Sequence, residues 1–222
     1  MMSYIDHYKT RLHAEGATPG EAYASATINV INESFSNAPN YRNIPVDSVL
    51  TDVRVLDVKS SQQGNQILSF IKELLFRPNT VRRRGSYADL EGQKWLLFDY
   101  IAGITPKAVI RLCNEELTIQ TGSTQVLIGT DAMNRPVYDT HPTYTSYPCV
   151  VDSKVQNPYD NLNAAISLPE GSISVIIPYT SQVAENMQFE MWSYDYKIIG
   201  VNNQYVINNE GPMIITAQRV VK

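Results

Sequence analysis

Apolar positions change their spacing along the chain. Over the first forty residues they recur at three and four. Ile5, Tyr8 and Leu12 share one face of a short helix, which Gly16 ends. A second helix starts at Thr18, with Pro19 in the first helical position and Glu21 closing a capping box. Ala24, Ile28, Ile31 and Phe35 continue the stripe, and the helix is expected to end near Asn37, before Pro39. Two short helices joined by a tight turn make an α-helical hairpin.

From Tyr41 the pattern becomes that of strands. Residues 49–58 are β-branched and partly alternating. Ile67–Phe76 fits a buried strand or a short helix, and its β-rich flanks favour the strand. Tyr87–Phe98 reads as a hairpin turning at Leu90-Glu91-Gly92-Gln93. Ala108–Leu112 and Glu116–Gln120 are two further short strands. Residues 130–163 hold Pro136, Pro142, Pro148 and Pro158 among many Asn, Asp and Thr, and read as a long functional loop. Short strands are expected near it at 124–128 and 149–151. Strands then resume at 172–178, 189–192, 196–201, 204–207 and 213–217. The expected fold is mainly β with an N-terminal helical hairpin and a barrel or sandwich core in one or two β domains. The divisions are residues 1–40 for the hairpin, 41–120 for a first β-barrel, and 121–222 for a loop-rich extension or second β domain.

Composition changes this picture in one respect. Only 18% of the 222 residues are charged while 43% are hydrophobic, so part of the surface is expected to be covered by a partner. The net charge of −4 argues against free binding to nucleic acid, which leans on positive charge. Tyr outnumbers Phe and Trp together, and its ring and hydroxyl suit strands and interfaces. The opening residues lack the pattern of a signal peptide, and no apolar run reaches the ~20 residues of a membrane span. Cys113 and Cys149 are expected to be packed, reduced thiols.

Candidate chemistry is sparse. His7 and His13 are six apart, which is not the spacing of a helical zinc pair, and His141 stands far from both. No P-loop, GxSxG or GxGxxG occurs, and no metal, cofactor or catalytic residue is assigned. Cys113 is the best nucleophile an enzyme reading would have. Arg82-Arg83-Arg84 is the densest charge run. On a strand it would be a solvated or salt-bridged edge, with a subunit interface or contact with DNA as the sharper readings. Trp95 reads as a core residue of the hairpin.

A family resemblance emerges from an ordered set of segments. Tyr8-Lys9-Thr10-Arg11-Leu12, the capped helix and Phe35-Ser36-Asn37-Ala38-Pro39-Asn40-Tyr41 come first. Arg77-Pro78, Gly85-Ser86-Tyr87, Trp95-Leu96-Leu97 and the run Ala108–Leu117 follow. Together these resemble head-closure or head–tail connector (neck) proteins of tailed bacteriophages of Firmicutes. The resemblance covers most of residues 4–118, with patches at Tyr196–Val201 and Met213–Thr216. It implies a non-enzymatic virion protein of the neck, made in the host cytoplasm. It further implies a homo-oligomeric ring, six- or twelve-fold, between a portal or adaptor protein and tail terminator or tail-side proteins. Phage DNA would pass through without specific binding, and no membrane is involved. Candidate interface residues are Tyr8, Arg11, Arg82, Arg83, Arg84, Asn134, Arg135, Tyr138, Tyr144 and Tyr147, the last five around the tip of the Pro-rich loop. Two other classes stand beside this one. The first is a carbohydrate- or receptor-binding β-sandwich on the virion surface, exposing Trp95, Trp192 and several Tyr. The second is a hydrolase using Cys113 or paired carboxylates.

Overall fold

The computed structural model describes residues 18–60, 66–152, 154–155 and 166–220. The expected first helix, and with it the helical hairpin, lies outside these residues, as do Tyr8 and Arg11. The second helix is α1 (Pro19–Phe35). Thr18 and Glu21 form the capping box with both reciprocal bonds at 3.2 Å, and Pro19 opens the first turn. Its C-terminal end is tied down by arginines from elsewhere in the chain. Arg54 donates to the Ser34 and Phe35 carbonyls, and Arg77 to that of Asn32. Both guanidinium groups also lie over the buried Phe35 ring, at 4.7 and 4.9 Å from its centre. A helix without a basic residue in its own last turn thus gains cations at its negative pole.

Fourteen strands follow among the described residues: β1 (Tyr41–Val46), β2 (Val49–Ser60), β3 (Gln66–Phe76), β4 (Tyr87–Leu90), β5 (Gln93–Ile101), β6 (Lys107–Leu112), β7 (Glu115–Thr130), β8 (Pro136–Asp152), β9 (Lys154–Val155), β10 (Ile166–Ser167), β11 (Ser172–Pro178), β12 (Gln188–Met191), β13 (Tyr194–Asn202) and β14 (Pro212–Arg219). The mainly-β expectation therefore holds. Strands β1 to β6 close into a barrel in the order β1-β2-β3-β6-β5-β4, and a six-stranded sheet runs β12-β13-β14-β11-β8-β7. The chain divides into two compact units, residues 1–82 with 99–110 and residues 83–98 with 111–222.

In the first unit, Ile44, Val46, Val53, Leu74, Phe76 and Ile110 are buried on alternating strand positions. The ambiguous apolar run is a strand, as its β-rich flanks suggested. The β1–β2 turn, Asp47-Ser48, has positive φ at both central residues, the geometry that matches strand twist.

In the second unit, the expected hairpin forms with Glu91-Gly92 at its turn, Leu90 pairing with Gln93. Leu117 and Ile119, Cys149 and Val151, Val175 and Ile177, Phe189 and Met191, Ile198, and Met213 and Ile215 share one core. Strand β11 is buried on both faces. Ile176 joins Leu96, Phe98, Val150 and Ile214 in a second, smaller cluster. Gly211 is a backbone necessity. Its φ is +134°, and a Cβ there would collide with the Tyr205 carbonyl oxygen.

Two expectations need correction. Residues 204–207 are not a strand. Asn208 and Asn209 take positive φ, so the chain turns back at once and leaves one isolated bridge, Ile207 to Glu210. More consequentially, much of the expected loop 130–163 is strand. β8 occupies 136–152 and absorbs the expected strand at 149–151, while the one expected at 124–128 lies inside β7. Prolines weighed toward a loop because they break a central strand, but an edge strand tolerates them.

Candidate functional site: a long β-ribbon and the groove at its root

Strands β7 and β8 pair antiparallel from Glu115–Cys149 out to Thr130–Pro136. Their inner part belongs to the core of the second unit. From residue 122 to residue 144 every side chain is exposed. The result is a two-stranded ribbon whose outer half has solvent on both faces. Cross-strand hydroxyl pairs stitch it together: Thr118 with Ser146 at 2.7 Å, Thr121 with Thr145 at 2.9 Å, and Thr124 with Thr143 at 3.4 Å. Register shifts at Gln120/Gly122 and Leu127/Gly129 insert Thr121 and Ile128 as extra residues on β7.

The tip is self-capped. The Asp131 carboxylate accepts from the N–H groups of Met133 (2.8 Å) and Arg135 (2.9 Å), while the Asp131 N–H donates to the Arg135 carbonyl. Asn134 supplies the positive φ the turn needs, at 59°, and the Arg135 guanidinium reaches Asp131 at 3.3 Å. Large apolar side chains gather behind this tip: Leu127 and its cross-strand partner Tyr138 are more than half exposed, as are Ile128 and Met133. His141 sits on the ribbon 3.5 Å from Asp139.

At the root, Tyr144 faces a groove of about 590 Å³ shared with Thr118, Met191, Trp192 and Asp195. Trp192 is half exposed, and its backbone has φ +51° in the two-residue β12–β13 turn. A bulky residue in the left-handed region is strained. The indole N–H donates to Glu115 at 2.6 Å, which fixes the ring over the base of the ribbon. Tyr147 instead packs on the core and donates its hydroxyl to Gln182 at 2.6 Å.

The structure thus brings five of the candidate residues together on the ribbon: Asn134 and Arg135 at the tip, Tyr138 behind it, Tyr144 and Tyr147 at the root. The arginine run is elsewhere and is not on a strand. Arg82 donates to the buried Thr51 hydroxyl at 2.6 Å, and Arg83 pairs with Glu210 at 3.2 Å. Trp95 is buried at 2% exposure, which fits the core reading and removes it from any exposed aromatic set. Both cysteines are free thiols. Burial pushes the Cys113 thiol up to about 12 and the Cys149 thiol well above its ordinary value. A nucleophilic cysteine needs the opposite shift. Among the described residues, no His, Cys, Asp or Glu group is placed to hold a metal ion, and no helix is long and apolar enough to cross a membrane.

Sequence reasoning missed that residues 136–148 form a strand with one edge free among the described residues. The usable signal was the spacing of Pro136, Pro142 and Pro148. Six-residue steps keep all three at one parity, as an edge strand requires.

The class is therefore a β protein of two compact units, the second bearing a projecting ribbon. Residues 115–218, just under half of the chain, match the family model of the YomX C-terminal domain, a phage-associated family. That span begins at the first residue of β7 and so contains the whole ribbon. No curated protein matches the chain.

Proposed function

We propose that this chain is a structural protein of a bacteriophage particle and works in the neck, where packaged head and tail are joined. The observation that carries the reading is the phage-associated family match on the unit that bears the exposed ribbon. An ordered two-stranded arm with apolar side chains in water is built for protein partners. The order of segments resembling connector proteins supplies the specific place. In this reading copies form a ring on the DNA exit path, with portal or adaptor on one side and tail components on the other. The low charge of the chain suits a part whose flanks are covered by neighbours.

The test is disruption of the gene in its phage, followed by electron microscopy of the lysate. Filled or leaking heads separate from finished tails are expected. Joined particles that fail to adsorb would overturn the neck reading in favour of a receptor-binding role. Normal infectious particles would overturn the structural reading altogether.

A further inference from the structure

The two lateral edges of the ribbon are built differently. In a regular strand, alternate residues turn their N–H and C=O to the same side. On β8 the odd residues face β7: the Cys149 carbonyl accepts from the Asn114 N–H at 3.1 Å, and the Val151 N–H donates to the Asn114 side chain at 2.7 Å. Pro148 faces away, its carbonyl taking the Tyr87 hydroxyl at 2.5 Å. The extra residues at both register shifts lie on β7, so β8 keeps its alternation throughout. Every even residue from 136 to 148 therefore turns to the outer edge. Pro136, Pro142 and Pro148 all belong to that set. Each removes an N–H that an added strand would need, so this edge is blunted.

The edge of β7 carries no proline, and between its extra residues Thr121 and Ile128 the run 122–127 keeps a regular register. Ser123, Gln125, Leu127 and Thr130 oppose the even residues of β8, and their main-chain groups face outward. From Leu117 to Thr130 there is neither a proline nor a charged residue. Near the root this edge borders β12 across a hollow of about 490 Å³ between Gln120–Ser123 and Met187–Gln188. Further out, among the described residues, no strand pairs with it. Val126, Leu127 and Ile128 are 44%, 57% and 64% exposed there. Two strands alone are marginal in water, and an uncharged, apolar edge without proline is a template for another strand.

We propose that this edge, centred on the regular run 123–127, is a strand-addition site, and that its occupant is the same edge of a second copy, antiparallel about a two-fold axis. Charge favours the self-pairing, because an uncharged strand laid against its own copy sets no like charges opposite one another. Its Ser, Thr, Val and Ile side chains are also good cross-strand partners. The blunted edges then explain closure. Once the two β7 edges have joined, only proline-bearing β8 edges remain outside, and the sheet stops at four strands instead of growing into a fibre. This pairing does not depend on the neck reading, and a ring of copies would use other surfaces.

Sedimentation of the purified full-length chain over a wide concentration range tests it. A dimer is expected. The double variant Gln125→Lys with Leu127→Lys, which places cations on the edge, should weaken it by at least about tenfold. Gln125→Pro, which deletes one outward N–H, should act in the same direction. Circular dichroism of both variants should match that of the unaltered chain. If Gln125→Pro misfolds, the lysine variant decides alone. A chain that stays monomeric throughout, or a dimer that survives both changes, overturns the proposal. An assembly larger than a dimer that the variants abolish overturns the four-strand closure.

Discussion

Asp52 gathers more polar contacts than its place on a barrel strand would suggest. It accepts from the Tyr41 hydroxyl and the Asn43 amide, each at 2.7 Å, and from Arg77 at 2.7 Å. Those bonds hold its carboxyl below the ordinary carboxylate range, with Asn43, Tyr41 and Arg77 as the causes in that order and burial opposing them. The same contact raises the Tyr41 hydroxyl. A carboxyl with a lowered folded-state value binds protons less readily when folded than when unfolded. Its stabilisation is fully present above the unfolded value, about 3.9, and is lost as pH falls through the folded one. Asp52→Asn is therefore expected to destabilise the protein near neutrality by about 1 kcal/mol, a figure reduced for the group's partial exposure. The difference between the two proteins should vanish at the acid end. Urea midpoints measured along a pH series check this, and a difference independent of pH would refute the assignment. Arg77, which holds Asp52, also stacks on Phe35 and caps α1, so one side chain joins strand β2 to a helix end.

The elements differ in how openly the sequence displays them. The capping box of α1 and the Glu91-Gly92 turn were legible because each depends on a few adjacent residues with fixed chemistry. Residues 67–76 were ambiguous alone and were settled by their β-rich flanks. β8 was not legible as a strand. Its exposed half offers no apolar alternation, because neither face of the ribbon is buried there, and burial is what writes the period-two pattern. The β12–β13 turn was hidden for a different reason: Trp192-Ser193 occupies a geometry usually given to Asn and Gly. The ribbon as candidate site was half legible. Its tip and its tyrosines were named from composition, while the edge of β7 required knowledge of which way each residue turns. One expectation follows for this element. Replacing residues 120–144 by a two-residue Asn-Gly turn, which joins the paired Ile119 and Thr145, removes only exposed side chains apart from the half-buried Thr121. Stability should stay within about 1 kcal/mol of the intact chain, and denaturant unfolding measures it. A larger loss would mean that the outer ribbon supports the fold.

Across the whole molecule the two compact units carry very different reporters. Both tryptophans and both cysteines lie in the second unit, residues 83–98 with 111–222. Cys113 and Cys149 are further quieted by burial, which disfavours the thiolate. A thiol reagent at neutral pH is therefore expected to react slowly with the folded chain. In a denaturant series, thiol exposure and the fluorescence shift of Trp95 should rise together, since both sense the same unit. Labelling that is fast in the folded state, or that precedes the fluorescence change, would contradict the burial described here. Low overall charge, the first global property of the chain, also acquires a location. Its longest consequence is the uncharged side of one strand, residues 117–130, where a charge would interfere with strand addition.

The self-capped tip at Asp131–Arg135 offers a practical handle for imaging. Its hydrogen bonds close locally, and its residues are far in sequence from both buried ends of the ribbon. A short epitope placed beside Ala132 would leave the β7 edge and the root groove untouched. An antibody fragment bound to that epitope would then act as a pointer in electron micrographs, showing on an assembled particle the direction in which each arm extends.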